Sequence, residues 1–251
     1  MSYNKKLNGL NFNDKEKKKE FVREMFNSIY RTYDLLNHLL SFGIDIHWRK
    51  RALKDVYLHE NDVCLDLAAG TGDFGIEVHK KFRCKIIGYD IAENSLKVFQ
   101  EKIRKKKFDE SKFTFVVGEA ENISLKDETV NLITIAFGIR NFYDSQKSLI
   151  EMYRVLKTGG RLLILEFSLP KNKLIQMIYN FYFEKILPFI GKLISKDNSA
   201  YKYLPESVKL FEQEKDIAGE ILKAGFRELK IEPMTFGIVK LYSAKKSADY
   251  F

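Results

Sequence analysis

The chain has 251 residues, 45% of them apolar, and its 43 basic and 34 acidic side chains leave a formal charge of +9. That balance fits one globular domain with a sizeable core and excludes a disordered chain. No apolar run approaches the roughly 18 residues that span a bilayer, and the lysine-rich start lacks the apolar stretch of a secretory leader, so a cytoplasmic setting is expected.

In chain order, apolar side chains at Val22, Met25, Phe26, Ile29, Tyr33, Leu36 and Leu40 share one face and predict a helix over 16–40. A second helix is expected over 45–56. Strands and helices then alternate: strand 62–67, helix 73–82, strand 84–90, helix 92–106, strand 112–117, strand 130–137, helix 145–157 and strand 160–167, with Gly159-Gly160 as the turn into the last of these. After Pro170 come an aromatic-rich segment, a helix near 212–223, and strands 226–233 and 236–243 as a closing hairpin. Alternation of this kind predicts an α/β fold with a mostly parallel, seven-stranded sheet and helices on both faces. We divide the single domain into a helical cap (1–58), a core (59–170), an aromatic-rich insertion (171–205) and a C-terminal helix with a strand pair (206–251).

Cys64 and Cys84 fall in predicted core strands and read as inert buried thiols of a reducing compartment. The four histidines, His38, His47, His59 and His79, lack ligand spacing, so no metal is expected. The basic clusters Lys15–Lys19 and Lys102–Lys107 read as solvated helix faces. No stacking platform accompanies them, so nucleic acid is not an expected partner. Attraction to an anionic lipid surface stays open.

Asp66-Leu-Ala-Ala-Gly-Thr-Gly-Asp73 runs from a strand through a tight turn into a helix, and the next strand ends at Asp90. Nucleotide-type cofactors sit at the carboxyl ends of parallel strands in such a loop. Gly70, Gly72 and Gly75 spell a dinucleotide fingerprint. Asp66 and Asp73, however, bracket the turn and would repel a diphosphate, whereas they suit the ammonium and sulfonium of S-adenosylmethionine. Asp90 has the two acceptor oxygens that ribose hydroxyls need. A plain turn needing positive φ and a helix cap at Asp73 are the rival readings.

The strand 130–137 runs into Gly138-Ile-Arg-Asn-Phe142, and the switch-point rule turns its end toward the same crevice. Arg140 is then expected to project a cation toward the acceptor and stabilise a developing oxyanion. A surface arginine capping the next helix is the alternative. Glu119 and the Ala120 N–H, after the third strand, are placed to read an adenine edge, unless this is only a solvated acidic loop.

Tyr33-Asp-Leu-Leu-Asn37, Leu40-Ser-Phe-Gly-Ile-Asp45, Trp48-Arg49, the Asp66–Asp73 loop, Ala136-Phe-Gly-Ile-Arg-Asn141, Met152-Tyr-Arg-Val-Leu156, Arg161-Leu-Leu-Ile-Leu-Glu-Phe-Ser168 and Tyr203-Leu-Pro-Glu-Ser-Val208 together resemble the menaquinone and ubiquinone C-methyltransferases, over about residues 20–245. The resemblance implies a class I S-adenosylmethionine-dependent methyltransferase fold, Rossmann-like, acting on a polyprenylated quinol and releasing S-adenosylhomocysteine. It implies cofactor contacts at Thr71, Asp90, Glu119 and Ala120, and an active-site set of Tyr33, Asp34, Asn37, Arg140 and Asn141. Glu119 stands where Asp or Asn is usual, Ala136 where some members carry a cofactor-touching Ser, and Thr158 where Pro is common.

The expected reaction is methylation of a ring carbon of demethylmenaquinol. A methoxy-polyprenyl-benzoquinol acceptor and a non-catalytic scaffold remain the alternatives. The apolar segment Leu174–Phe183 is expected to serve an isoprenoid tail and peripheral membrane contact, or equally a helix pair or homodimer interface.

Overall fold

The structure, a computed structural model, describes residues 17–25, 27, 41, 43–182 and 199–248. Tyr33, Asp34 and Asn37 lie outside the described residues, as does most of the predicted helix 16–40; residues 17–25 are helical.

The core is a seven-stranded sheet in the order β3-β2-β1-β4-β5-β7-β6. Its strands are β1 (Val63–Leu67), β2 (Lys85–Asp90), β3 (Phe113–Val117), β4 (Val130–Ala136), β5 (Leu156–Phe167), β6 (Arg227–Met234) and β7 (Val239–Lys245). The first five are parallel; β7 runs antiparallel between β5 and β6. The chain starts in mid-sheet at β1, winds outward to β3 and returns to β4 beside β1. That reversal opens a crevice at the carboxyl ends of β1 and β4.

Strand residues of period two feed two apolar layers. Leu65, Leu67, Ile133, Ile135, Leu162 and Ile164 pack with α4 (Ser145–Val155), α6 (Ser199–Glu214), α7 (Ile217–Lys223) and the helical residues 17–25. Cys64, Ile86, Leu132, Leu163 and Leu165 pack with α1 (Ile44–Ala52), α2 (Asp73–Phe82) and α3 (Glu93–Lys105). Helix α5 (Lys173–Phe181) stands apart from both layers. Both cysteines are free and buried, and burial pushes the Cys84 thiol up to about 11.

Three expected boundaries move for physical reasons. Gly159-Gly160 lies within β5, which starts at Leu156; the register slips between the Val130–Leu156 and Leu132–Arg161 pairs, so the glycines form a bulge rather than a turn. The helix expected near 212–223 is two helices, because the Asp216 carboxylate caps α7 by accepting the Gly219 N–H at 2.9 Å. The last strand starts at Val239, since Thr235, Phe236 and Gly237 all take positive φ in a tight turn.

Candidate active site

The loop after β1 is held from within. The Gly70 N–H donates to Asp90 Oδ2 (2.8 Å), the Gly72 N–H to the Ala69 carbonyl (2.9 Å), and the Gly75 N–H to Asp66 Oδ2 (2.8 Å). A diphosphate cradle needs those groups free, so the fingerprint spacing does not make a dinucleotide site. Gly72 has φ 83°, and a Cβ there would sit inside the Phe99 ring, so the turn requires glycine.

The carboxylates that bracket the loop have other partners than those expected from sequence. Asp66 is buried, accepting the Thr134 hydroxyl at 2.9 Å as well as the Gly75 N–H; it supports the start of α2 from beneath. Burial pushes its pKa up to about 7, against the pull of those two bonds and of Arg49. Asp73 pairs with Lys102 at 2.7 Å, with Arg49 4.0 Å away, and Lys102 also donates to the Thr71 hydroxyl at 3.1 Å. These two acids therefore buttress the loop from within.

Lysines read as a solvated face behave likewise. Lys18 is buried and donates to the Phe142 carbonyl at 3.0 Å, while Lys19 pairs with Glu119. Burial first, then Lys215, lowers the Lys18 pKa to about 8, with Glu121 opposing. The two lysines fasten the helical residues 17–25 over the ends of β3 and β4.

Beneath that helix lies a cavity of about 90 Å³, lined by Gly70, Asp90, Glu119, Ala120, Ala136 and Phe142 among others. Asp90 is set by the Gly70 N–H and, at 2.7 Å, the Ala92 N–H. Burial raises its pKa, against those N–H groups. A carboxylate offers about four acceptor sites, so capacity remains for ribose hydroxyls. An acceptor at a strand end beside an apolar slot fits a nucleoside. Asp90→Asn removes the charge and should weaken S-adenosylmethionine binding by about 10–100-fold, the worth of one charge-assisted hydrogen bond. Calorimetric titration measures it, and unchanged affinity would remove Asp90 from the ligand's contacts.

Arg140 does not line that cavity. Its guanidinium is buried, pairing with Glu166 at 2.8 Å, donating through Nε to Ser207 (3.3 Å) and through Nη1 to the Phe137 carbonyl. The Arg140 N–H also reaches Glu166, at 3.3 Å. Burial raises the Glu166 pKa, with Arg140 opposing. Sequence reasoning missed Glu166, although a lone acid inside Leu-Leu-Ile-Leu-Glu-Phe was a visible signal. Asn141 does border the cavity, and its Oδ1 accepts the Tyr203 hydroxyl at 3.0 Å. The Tyr203–Val208 motif thus holds the Gly138–Phe142 motif in place through Tyr203 and Ser207.

A second cavity, of about 250 Å³, lies beside the first and is walled by Ile44, Trp48, Phe167, Ile178, Tyr179 and Leu204, with few polar groups. Phe137 borders both. It sits at φ 60°, stacked 4.4 Å from Phe167 and edge-on to Trp48 at 6.0 Å. Gly138 follows because a Cβ there would lie 2.7 Å from that of Ala68. Among the described residues no group of three His, Cys, Asp or Glu side chains comes together to hold a metal ion.

Comparison with known proteins agrees with this geometry. Residues 13–246 match the model of the ubiE/COQ5 methyltransferase family. The chain is 43% identical to the demethylmenaquinone methyltransferase of Bacteroides fragilis, over 92% of this chain and 94% of that one. It is 41% identical to the ubiquinone/menaquinone biosynthesis C-methyltransferase UbiE of Geobacter sulfurreducens, over 91% and 90%. The fold is similar to that of Haemonchus contortus phosphoethanolamine N-methyltransferase 2, solved with S-adenosyl-L-methionine, with a TM-score of 0.59 at 18% identity over 80% of this chain and 52% of that one. The chain belongs to the ubiE/COQ5 methyltransferase family, and is an S-adenosylmethionine-dependent methyltransferase of class I fold.

Proposed function

We propose that the chain methylates a ring carbon of a polyprenylated quinol, with demethylmenaquinol as its acceptor. The observation that carries this reading is Phe137, one aromatic wall shared by the cavity beside Asp90 and a larger apolar one. An aromatic head group fits against that wall with its tail in the apolar cavity, a mostly hydrophobic site with few polar groups.

S-adenosylmethionine, when bound, supplies the electrophilic methyl group. The residues proposed to hold it are Asp90 for the ribose, Glu119 and the Ala120 N–H for the adenine, and Gly70, Gly72, Thr71, Ala136, Asp66 and Asp73 as the loop and its supports. The acceptor carbon becomes nucleophilic when the neighbouring hydroxyl loses its proton; once methylated, that carbon loses its own hydrogen as a proton and the oxygen regains one, which restores the aromatic quinol with one proton released overall. Asn141 orients a quinol oxygen, its own amide fixed by Tyr203. Arg140, paired with Glu166, positions the Gly138–Phe142 loop through the Phe137 carbonyl and Ser207. Tyr33, through Asp34, remains our candidate for carrying the proton away, and Asn37 completes the active-site set that the resemblance implies.

The same reading puts the enzyme in the cytoplasm with peripheral access to the membrane that dissolves its substrate; a homodimer through the apolar segment is the rival arrangement. Methyl transfer to extracted demethylmenaquinol, followed by mass spectrometry, tests the head group. We expect a single added methyl group there and at least tenfold lower kcat/KM with a methoxy-polyprenyl-benzoquinol. The opposite preference would move the assignment to the benzoquinol branch, which the name of the Geobacter relative also includes.

A further inference from the structure

Helix α5 points its apolar stripe the wrong way for a core helix. Leu174, Met177, Ile178 and Phe181, spaced i, i+3, i+4 and i+7, share one face, yet each is between 59% and 63% exposed. A stripe with that spacing ordinarily packs inward. On this helix only Tyr179 is buried.

Phe236 lies at the tip of the turn between β6 and β7, 78% exposed and at φ 58°. The Trp48 indole N–H donates to Thr235 Oγ1 at 2.8 Å and ties this turn to α1, whose Ile44 and Ile46 are exposed as well. Ile44 and Ile178 also line the 250 Å³ cavity, and so do Thr235 and Ile238. Two of the exposed side chains, Ile44 and Ile178, therefore border the cavity, and the others lie on the same elements.

The fringe is basic. Residues 168–182 contain Lys171 and Lys173 and no acid, and exposed Lys50 follows on α1. Among the described residues, Glu232 is engaged with Arg51 at 2.8 Å and buried Asp45 with Arg49.

We propose that this face, made by α5, the 235–237 turn and the start of α1, docks onto an anionic lipid surface and opens the apolar cavity toward it. The proposal rests on the polyprenyl-quinol reading, which gives a bilayer-dissolved tail a reason to enter there. Apolar side chains ringed by lysines suit the headgroup boundary, where apolar burial and anionic headgroups act together.

Flotation on phosphatidylglycerol–phosphatidylcholine vesicles tests it, with phosphatidylcholine alone as the control. The variant is Met177→Ser, Phe181→Ser and Phe236→Ser together, since none of these lines either cavity. We expect wild type to favour the anionic vesicles and the triple variant to bind at least tenfold more weakly. Its KM for a long-tailed quinol in vesicles should rise, while kcat/KM for a short-tailed quinol in solution stays within about twofold. Equal flotation of variant and wild type overturns the proposal. So does a wild type that ignores vesicles, whether it sediments as a dimer, which gives the face to a second copy, or as a monomer, which gives it to the chain's own segment. Vesicle binding by a wild type that methylates neither quinol would instead overturn the substrate reading and leave the docking face standing.

Discussion

Alanine at Arg140 should cost the fold about 3–5 kcal/mol, because Glu166 is then left buried without its cation. Turnover should fall by about 10²-fold, the cost of misplacing the Asn141 loop that Arg140 holds. S-adenosylmethionine affinity should stay within about threefold of wild type, since the side chain is not in the wall of the cavity proposed for the cofactor. The stability loss carries a pH signature. Burial already raises the Glu166 pKa, and losing Arg140 removes the group that opposes the rise. In the variant the penalty is present where Glu166 is charged in the folded state and disappears as pH falls and the carboxyl protonates. Urea denaturation at neutral and acidic pH reads this out; a penalty of equal size at both would sink the pair's electrostatic role. Arg140→Met with Glu166→Gln separates the two effects. Removing both charges should restore most of the stability but not the turnover. Recovery of both would reduce Arg140 to a purely structural residue.

The residues that sequence reasoning placed best were those whose role depends on where a strand ends. Asp90 at the end of β2, Ala120 after β3 and Asn141 after β4 all border one cavity, because a parallel sheet with its switch point between β1 and β4 brings those ends together whatever the side chains do. What a charged side chain pairs with is a three-dimensional matter. Asp66, Asp73, Lys18, Lys19, Lys102 and Arg140 all looked available along the chain, and all are engaged across the fold. Of the hydrogen-bond partners given above, all but Gly75 of Asp66 and Phe137 of Arg140 lie 26 or more residues away, and no periodicity encodes such pairings. The Tyr203 and Ser207 contacts with Asn141 and Arg140 show why two distant motifs belong to one unit. The sequence named both stretches, but only the fold puts one behind the other. Phe137 was read as part of an apolar strand, and its positive φ and its place between two cavities were invisible until β4 was seen to end at Ala136.

Asparagine at Asp66 should make the protein more stable at neutral pH and no more stable near pH 4. The folded-state pKa of Asp66 is raised to about 7 from 3.8, with burial as the largest cause. Below about pH 4 the carboxyl is protonated in both folded and unfolded chains and contributes no pH dependence. Between about 4 and 7 the folded chain holds a proton that the unfolded chain has released, so stability drops as pH rises and levels off above about 7. At about 1.4 kcal/mol per pH unit this slope accumulates to about 4 kcal/mol at most. An amide oxygen can still accept the Gly75 N–H, and the amide NH₂ can donate to the Thr134 hydroxyl, so the start of α2 keeps its support while the titration is removed. The difference in unfolding free energy between variant and wild type, measured in urea at several pH values, should therefore grow from near zero at pH 4 toward its limit above pH 7. A constant difference would show that Asp66 does not titrate in this window. Cofactor affinity is the second readout. If Asp66 only supports the loop, the variant binds S-adenosylmethionine as wild type does; a tenfold loss with no change in the pH–stability curve would make the carboxylate a direct contact of the ligand.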